Sequence, residues 1–514
     1  MNKDLYNMGC GVVTLPDILF FVWVSYSVLR SCFPAFAWGC FYPYFCLAGC
    51  YLLLRYFRPH SYLLFIGMIC VGVWQSTLAV GQYFHWWHSN HRLFDITGSF
   101  GNPGPLGGFL AISLIATVCV WFRFRKKRLA VLLLLLVLLQ GAALLLSDSR
   151  AGWLAAIGGI VAVWFLNRDR ACLSAKSLIL FCLTAIVVVG GLYYHKPRSA
   201  NGRILVWKVT MNMIADKPIF GHGADGFNRN YMYYQAKYFA KYPQSPYLQY
   251  SDNIAYPYNE FLHILTEQGI VGLLLILALL VAVLKIPAKN YEYKSTIIGY
   301  IVFAQFSYPS YVSSLLVLFP ILLASIQNKP VRMNVPCSIH WSTAVLLIVL
   351  LGYVGSEYSF RKRCRETIPQ LFSADPSKAA FAEKFAENHY RRLLGYPRMA
   401  DVYGQYAYAR ADSERAKSVL NDLKRIVPTS ELYCDLGDLY GAEKDWGQAL
   451  SCYETAHMMI PRRLTPVYKS FKTYCEMGDT IAARAQANKA LAIPVKIESP
   501  RTFERQSGVG KPQC

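Results

Sequence analysis

LAVLLLLLVLLQGAALLL, residues 129–146, holds no charged side chain in eighteen consecutive positions. As a helix rising 1.5 Å per residue it reaches about 27 Å, close to the ~30 Å hydrocarbon layer of a bilayer. A second such run spans Leu178 to Tyr194. Composition agrees with this reading. The 514 residues are 54% hydrophobic and only 16% charged, where a soluble protein carries about 25%. The first apolar segment, Leu15 to Cys32, lacks a basic leader and a small-residue cleavage site, so it reads as a retained span.

Working outward from these runs, charge alternation predicts an all-α, polytopic membrane bundle of about eleven spans. They fall near 14–33, 35–55, 60–82, 104–123, 129–147, 152–167, 177–194, 264–284, 295–308, 311–327 and 341–356, with Pro309 dividing the ninth from the tenth. The net charge of +22 does not point to nucleic acid, because the cations gather in alternate loops. Arg123, Arg125, Lys126, Lys127 and Arg128 form one cluster, and Arg168, Arg170 and Lys176 another. This is the positive-inside bias, and it sets the N-terminus in the cytoplasm and everything after residue 356 on the opposite side. Nine of the 15 cysteines precede residue 185 and act as small hydrophobes. No CxxC or Cys/His metal spacing is present, so no metal and no cofactor are expected.

From about residue 357 to 497 the chain turns charged and Ala-rich with helical periodicity. Leu436-Gly437, Tyr440, Ala449, Tyr453, Ala456 and Pro461 match the tetratricopeptide pattern in residue type and spacing. Tyr474, Gly478, Ala483, Ala487 and Ala490 continue it, and Ala416, Leu420, Leu423 and Pro428 precede it. Such repeats stack and offer a concave face to a partner. Residues 498–514 read as a disordered tail.

Between the apolar spans lies a polar loop, 195–261, too long and too varied to be a mere connection. Ordered signals run through and before it. Phe100-Gly101-Asn102-Pro103 opens a span. Ser147-Asp148-Ser149-Arg150-Ala151-Gly152 makes a tight polar turn. Asn201-Gly202-Arg203 reads as a turn before an amphipathic segment. Gly221-His222-Gly223 and Tyr258-Asn259-Glu260-Phe261-Leu262 follow, the last leading into Glu267, Gly269 and Gly272. Tyrosines 231, 233, 234, 238, 242, 247 and 250 intervene, suited either to sugar stacking or to a membrane interface.

Over roughly residues 60–330 this ordered set resembles the O-antigen ligase and polymerase family. The resemblance implies a multi-pass bacterial inner-membrane enzyme with its large loop and C-terminal domain in the periplasm. It implies transfer of a glycan from undecaprenyl diphosphate to an acceptor, whether lipid A core, a growing glycan or a protein hydroxyl. The rival readings are a polymerase or protein O-oligosaccharyltransferase and, from another class, a transporter or a non-catalytic envelope scaffold. A transporter would carry ionisable residues at mid-span, and few are present. Membrane lipid, the carrier-linked donor and a protein on the repeats are the expected partners.

The expected diphosphate and glycan ligands are Arg150, Ser149, Asn102, Asn201 and Glu260, and the expected catalytic residues are Arg203, Tyr258, Asn259 and His222. A guanidinium matches phosphate oxygens with a planar fork of donors. Against this, Arg150 also fits a snorkelling interfacial arginine, Arg203 a solvated loop residue, and His222 an ordinary loop histidine. Many family members have His where this chain has Tyr258, and that histidine is their proposed general base. Tyrosine, with a pKa near 10, is a poor base at neutral pH. Three readings stay open: Tyr258 orients substrate, His222 or His263 takes the role, or the chain is inactive as a transferase. On a helical wheel His263 points some 140° from Tyr258. Small residues at Gly269 and Gly272 read as close helix packing, and Glu267 as the partner of a loop arginine.

Overall fold

The computed structural model describes residues 14–31, 42–57, 61–91, 93–124, 128–166, 191, 197–286, 291–326 and 337–493. Among them are twenty α-helices and no strand. The apolar helices are α1 (Leu15–Ser31), α2 (Tyr42–Phe57), α3 (Ser61–Tyr83), α4 (Pro103–Phe124), α5 (Leu129–Leu146) and α6 (Arg150–Leu166). After the polar helices α7 (Pro197–Asp216) and α8 (Gly226–Lys241) come α9 (Glu260–Leu284), α10 (Tyr291–Ala304), α11 (Ser313–Ser325) and α12 (Cys337–Thr367). Among the described residues four segments, Leu63–Tyr83, Pro103–Phe124, Leu129–Leu146 and Glu260–Leu284, are long and apolar enough to cross a membrane. The span expected at 177–194 lies outside the described residues.

α4 is the central helix, for every residue from Pro105 to Cys119 is buried. α5 is peripheral and turns Val131, Leu132, Leu135, Leu138 and Leu145 outward. Only an apolar solvent would favour such a face. At one end of the bundle, ion pairs tie helices together, with Arg55 2.8 Å from Asp17 and Arg123 3.0 Å from Glu292.

The stretch expected to be a loop is largely helical. Asn201-Gly202 does not turn but lies inside α7. Burial of Leu205, Val206, Val209 and Met213 on one face outweighs the local turn preference of two residues. Pro309 does break the chain, in a 3₁₀ turn Pro309–Tyr311 between α10 and α11.

The C-terminal helices pair as hairpins: α15 (Pro397–Ala409) with α16 (Ser413–Lys424), α17 (Ser430–Ala442) with α18 (Trp446–Met459), and α19 (Leu464–Met477) with α20 (Thr480–Ala492). Before them lie α13 (Pro376–Asn388) and the short α14 (Tyr390–Leu393). The junction expected at 356/357 falls within the continuous helix α12. Asp412, Thr429, Asp445 and Asp479 cap helix starts by accepting backbone N–H bonds.

These hairpins do not stand apart from the polar helices. Leu205, Phe227, Tyr231 and Phe239 share one hydrophobic core with Tyr403, Leu420, Leu436 and Met459. Gln235, fully buried, donates to the carbonyls of Met459 (2.7 Å) and Asp252 (3.1 Å). The Tyr233 and Tyr433 hydroxyls meet at 3.0 Å, and Arg462 pairs with Asp252 at 3.1 Å. Tyrosines 231, 233 and 238 are therefore spent largely on this joint rather than displayed for sugars. One face of the hairpins is filled by the chain's own α8.

Candidate functional site

Small residues bring the first arginine into position. A Cβ on Gly107 would lie 2.2 Å from that of Ser149, and one on Gly152 would lie 2.6 Å from the Gly107 carbonyl oxygen. Only glycine at both positions lets α4 and α6 touch backbone to backbone. Ser149 Oγ donates to the Gly104 carbonyl (3.3 Å) and accepts from Gly152 N–H (3.3 Å), while Asn102 Oδ1 accepts from Gly104 N–H (2.9 Å). Asn102, Ser149 and Arg150 therefore gather where α4 and α6 begin, and both helices turn the positive end of their dipole there.

The second arginine arrives from α7. Arg203 is half-buried, with its guanidinium carbon 5.3 Å from the Tyr258 ring centre. Burial, and then the charge of Arg150, pull the Arg203 pKa below its ordinary value. Two cations from segments about fifty residues apart thus share one electrostatic neighbourhood.

Tyr258 is held by its neighbours. Trp207 Nε1 donates to the Pro257 carbonyl at 2.9 Å, and Tyr258 itself is left-handed at φ 55°, a costly conformation for a bulky residue. Tyr256 stacks on Tyr308 at 3.8 Å and meets Tyr258 edge-on at 5.0 Å. The Tyr308 hydroxyl lies against Gly104, where a Cβ would stand 3.9 Å away. Burial, reinforced by Tyr256, pushes the Tyr258 hydroxyl up to about 12. Near neutrality it is a hydrogen-bond donor, not a base.

Asn259 and Glu260 are occupied in shaping the chain. Asn259 Oδ1 caps α9 by accepting Leu262 N–H (3.0 Å), and its Nδ2 donates to the Gln305 carbonyl (3.1 Å). Glu260 accepts from Ser310 N–H (2.9 Å) and Oγ (2.7 Å), and its other oxygen lies 3.2 Å from His263 Nδ1. Asn259 therefore fastens the start of α9 to the end of α10, and Glu260 fastens it to the Pro309–Tyr311 turn. Asn201 Nδ2 donates to the Tyr250 hydroxyl at 3.2 Å.

His222 faces elsewhere. Its Nε2 lies 2.9 Å from the Met213 carbonyl, and its ring meets Tyr234 edge-on. Burial lowers its pKa. The glycine-flanked motif around it has a backbone task, because α9 is broken at Gly269 (φ 67°, ψ −166°). Segment 218–223 fills the gap: His222 N–H donates to Thr266 O (2.7 Å) and Gly223 N–H to Glu267 O (2.9 Å). In return Ile270 N–H donates to Pro218 O (2.9 Å), and the Tyr26 hydroxyl donates to Gln268 O (2.9 Å). A broken helix is tolerated at membrane depth only where its freed groups find such partners. Gly269 therefore serves a backbone break, not the simple close packing of helices.

Glu267 pairs with His263 (3.3 Å) rather than with an arginine. The helical-wheel angle for His263 does not apply, since α9 begins after Tyr258. His263 instead reaches the Tyr311 hydroxyl at 3.2 Å, and Tyr311 meets Tyr256 at 5.4 Å. Tyr256, Tyr308 and Tyr311 were missed in the sequence. Their signal was aromatic–proline pairing, Tyr256-Pro257 and Tyr308-Pro309, at the ends of apolar runs. Beyond Tyr311 opens a cavity of about 410 Å³, lined by Tyr311, Glu260 and His263 but not by Arg150, Arg203 or Tyr258.

Set against curated proteins, the chain has no match. Residues 135–277, which run from α5 into α9 and carry Arg150, Arg203 and Tyr258, match the model of the O-antigen ligase family, and this supports glycan processing by a multi-pass membrane protein.

Proposed function

We propose that the chain is a glycan ligase of the bacterial inner membrane, transferring an oligo- or polysaccharide from undecaprenyl diphosphate to an acceptor hydroxyl on the periplasmic face. What supports this reading is that Arg203, half-buried on α7, lies close enough to Arg150 at the start of α6 for the charge of Arg150 to depress its pKa. Two like charges in a partly desolvated place repel each other; Asp148 offsets part of this at Arg150, and an anion held near both arginines would offset more. The diphosphate supplies one, and the starts of α4 and α6 add to the attraction.

In this reading the acceptor oxygen attacks the anomeric carbon and the bond from that carbon to the diphosphate oxygen breaks. The proton of the hydroxyl is, in the net balance, taken up by the departing diphosphate. Negative charge grows on the leaving group, so Arg150 and Arg203 stabilise the transition state more than the bound donor. Tyr258 donates a hydrogen bond and orients substrate. Asn102 and Ser149 shape the diphosphate side, Asn259 caps α9 against the end of α10, and Glu260 holds the aromatic turn in register. His222 supports the broken helix and takes no direct part. The C-terminal hairpins belong to a periplasmic domain of tetratricopeptide type.

The test is transfer of glycan from a polyprenyl-diphosphate donor by the full chain in vesicles. Arg203→Ala should lower kcat by roughly 10²–10³-fold, as loss of one charge-stabilising donor does, with normal membrane insertion. Unchanged transfer would remove Arg203 from the chemistry. Loss of mature glycan in a deletion strain, with carrier-linked glycan accumulating, distinguishes ligation from polymerisation, which stalls chains at one repeat unit.

A further inference from the structure

The cavity beyond Tyr311 lies at a seam. Its floor is apolar and comes from the helix bundle: Trp23, Leu47, Ile276 and Phe319. One wall is acidic, with Glu260, Glu267 and Asp225 around His263. The remaining wall belongs to the C-terminal domain and includes Arg361, Pro397 and Val427. A volume of about 410 Å³ is that of a ligand pocket rather than a packing defect.

One oxygen of the polar wall lacks a regular hydrogen bond. Glu267 is only 4% exposed, yet its Oε1, 3.3 Å from His263 Nε2, receives no hydrogen bond of proper geometry. A buried carboxylate oxygen in that state attracts a donor. Arg361, by contrast, is held in place before anything binds. Its guanidinium packs over the Tyr396 ring at 5.2 Å and donates to the Tyr396 hydroxyl at 3.4 Å. Tyr396 in turn donates to Glu357, which Arg392 anchors. Tyr311, which lines this chamber, meets Tyr256 at 5.4 Å, and Tyr256 meets Tyr258 at 5.0 Å, so a chain of rings links the chamber to the Tyr258–Arg203 side.

We propose that the C-terminal domain is the fourth wall of an acceptor chamber and selects the acceptor through Arg361 and Val427. The occupant is an amphiphile, its tail against Trp23, Ile276 and Phe319 and its hydroxyl-bearing head toward Glu260 and Glu267. This rests on the transferase reading above, and it makes the C-terminal domain part of the site rather than a recruiting appendage.

The experiment uses the full chain in vesicles with a hexadecyl glycoside carrying a diazirine in its tail, and the methyl glycoside of the same sugar as the tail-less control. Photolabel is expected on peptides bearing Ile276 and Val427, competed by unlabelled hexadecyl glycoside and not by the methyl glycoside. Val427→Trp, which fills the chamber from the C-terminal side, and Ala304→Phe, which fills it from the bundle side, should each cut labelling at least tenfold. Arg361→Gln should weaken it and Arg361→Lys restore part of it. Retained thermal unfolding shows that each variant is folded. Labelling absent from the seam, or unchanged in both filling variants, would overturn the proposal. Labelling that persists in a chain with no glycan transfer would instead sink the ligase reading and leave the amphiphile chamber standing.

Discussion

The Arg203 guanidinium carbon sits 5.3 Å from the centre of the Tyr258 ring. That contact joins an arginine read as following a turn, and found inside α7, to a tyrosine that stands where many members of the family it resembles have histidine. A cation over an aromatic face gains about 0.5–2 kcal/mol, more as water is excluded. Tyr258 therefore orients the arginine through its ring and, in the proposed reaction, would offer substrate its hydroxyl. Neither task needs it to lose a proton.

Tyr258→Phe tests this division. The ring contact survives and the hydroxyl goes, so kcat should fall about tenfold or less, whereas loss of a true general base removes 10²–10⁴-fold. With the hydroxyl pushed up to about 12, wild-type kcat should show no ascending limb from Tyr258 between pH 6 and 9. Tyr258→His should introduce a limb near the imidazole pKa, about 6.5. A thousandfold loss in Tyr258→Phe would make the phenol the base after all.

Gly269→Ala should be among the most damaging single changes in the bundle. At φ 67° and ψ −166° an L-residue is strained by about 1–3 kcal/mol, and the new Cβ would stand 2.1 Å from the Ile219 carbonyl oxygen. Gly101→Ala is the control, since its φ is also positive (69°) but nothing lies within 4 Å. Thermal unfolding in detergent should separate the two by several degrees. Equal midpoints would mean that α9 is not broken at Gly269.

Asp225 makes stability depend on pH. Burial, then repulsion from Glu267, push its carboxyl up to about 7, against the opposing effects of Asn228, Arg229 and His263. A folded-state pKa above the unfolded value of 3.8 means the folded chain holds the proton more tightly. The resulting stability is complete below pH about 3.8 and is lost as pH rises through about 7. Asp225→Asn keeps a residue that tolerates its left-handed φ of 55° and removes the proton. Between pH 5 and 8 the wild type should lose more of its unfolding midpoint than the variant does. Parallel curves would contradict this.

Gln235→Ala addresses the joint between the polar helices and the C-terminal hairpins. It strips the donor from two carbonyls, Met459 and Asp252, at a cost of roughly 2–4 kcal/mol. Limited proteolysis should then cut the C-terminal hairpins before the bundle. A digestion pattern like that of the wild type would mean the joint does not depend on this amide.

Among the described residues, apolar helices overlap the segments that hydrophobicity marked out, because hydrophobic runs are a local property that one segment carries alone. Helical periodicity in the C-terminal third was legible for the same reason, and small residues at fixed spacing, Ala416, Ala449, Ala456, Ala483 and Ala487, fall buried on its paired helices. Asn201-Gly202 misled because two residues of turn preference are weaker than a buried face of four apolar side chains farther along α7. Gly221-His222-Gly223 was noticed for its chemistry, yet its backbone closes a break in α9. No local pattern could show that, since its partners, Thr266 and Glu267, lie some forty-five residues away.

From residues alone came the all-helical membrane bundle, its charge asymmetry, and the two arginines whose placement among apolar spans required explanation. Only tertiary packing brought Arg203 beside Tyr258, set Tyr256 against Tyr308 and Tyr311, and lined one cavity with residues of the bundle and of the C-terminal helices. The reason is one of range. Helix formation and partition into lipid are set by neighbours a few residues apart, whereas a site assembled from α4, α6, α7, α9 and the turn at Tyr308 exists only once distant surfaces exclude water together.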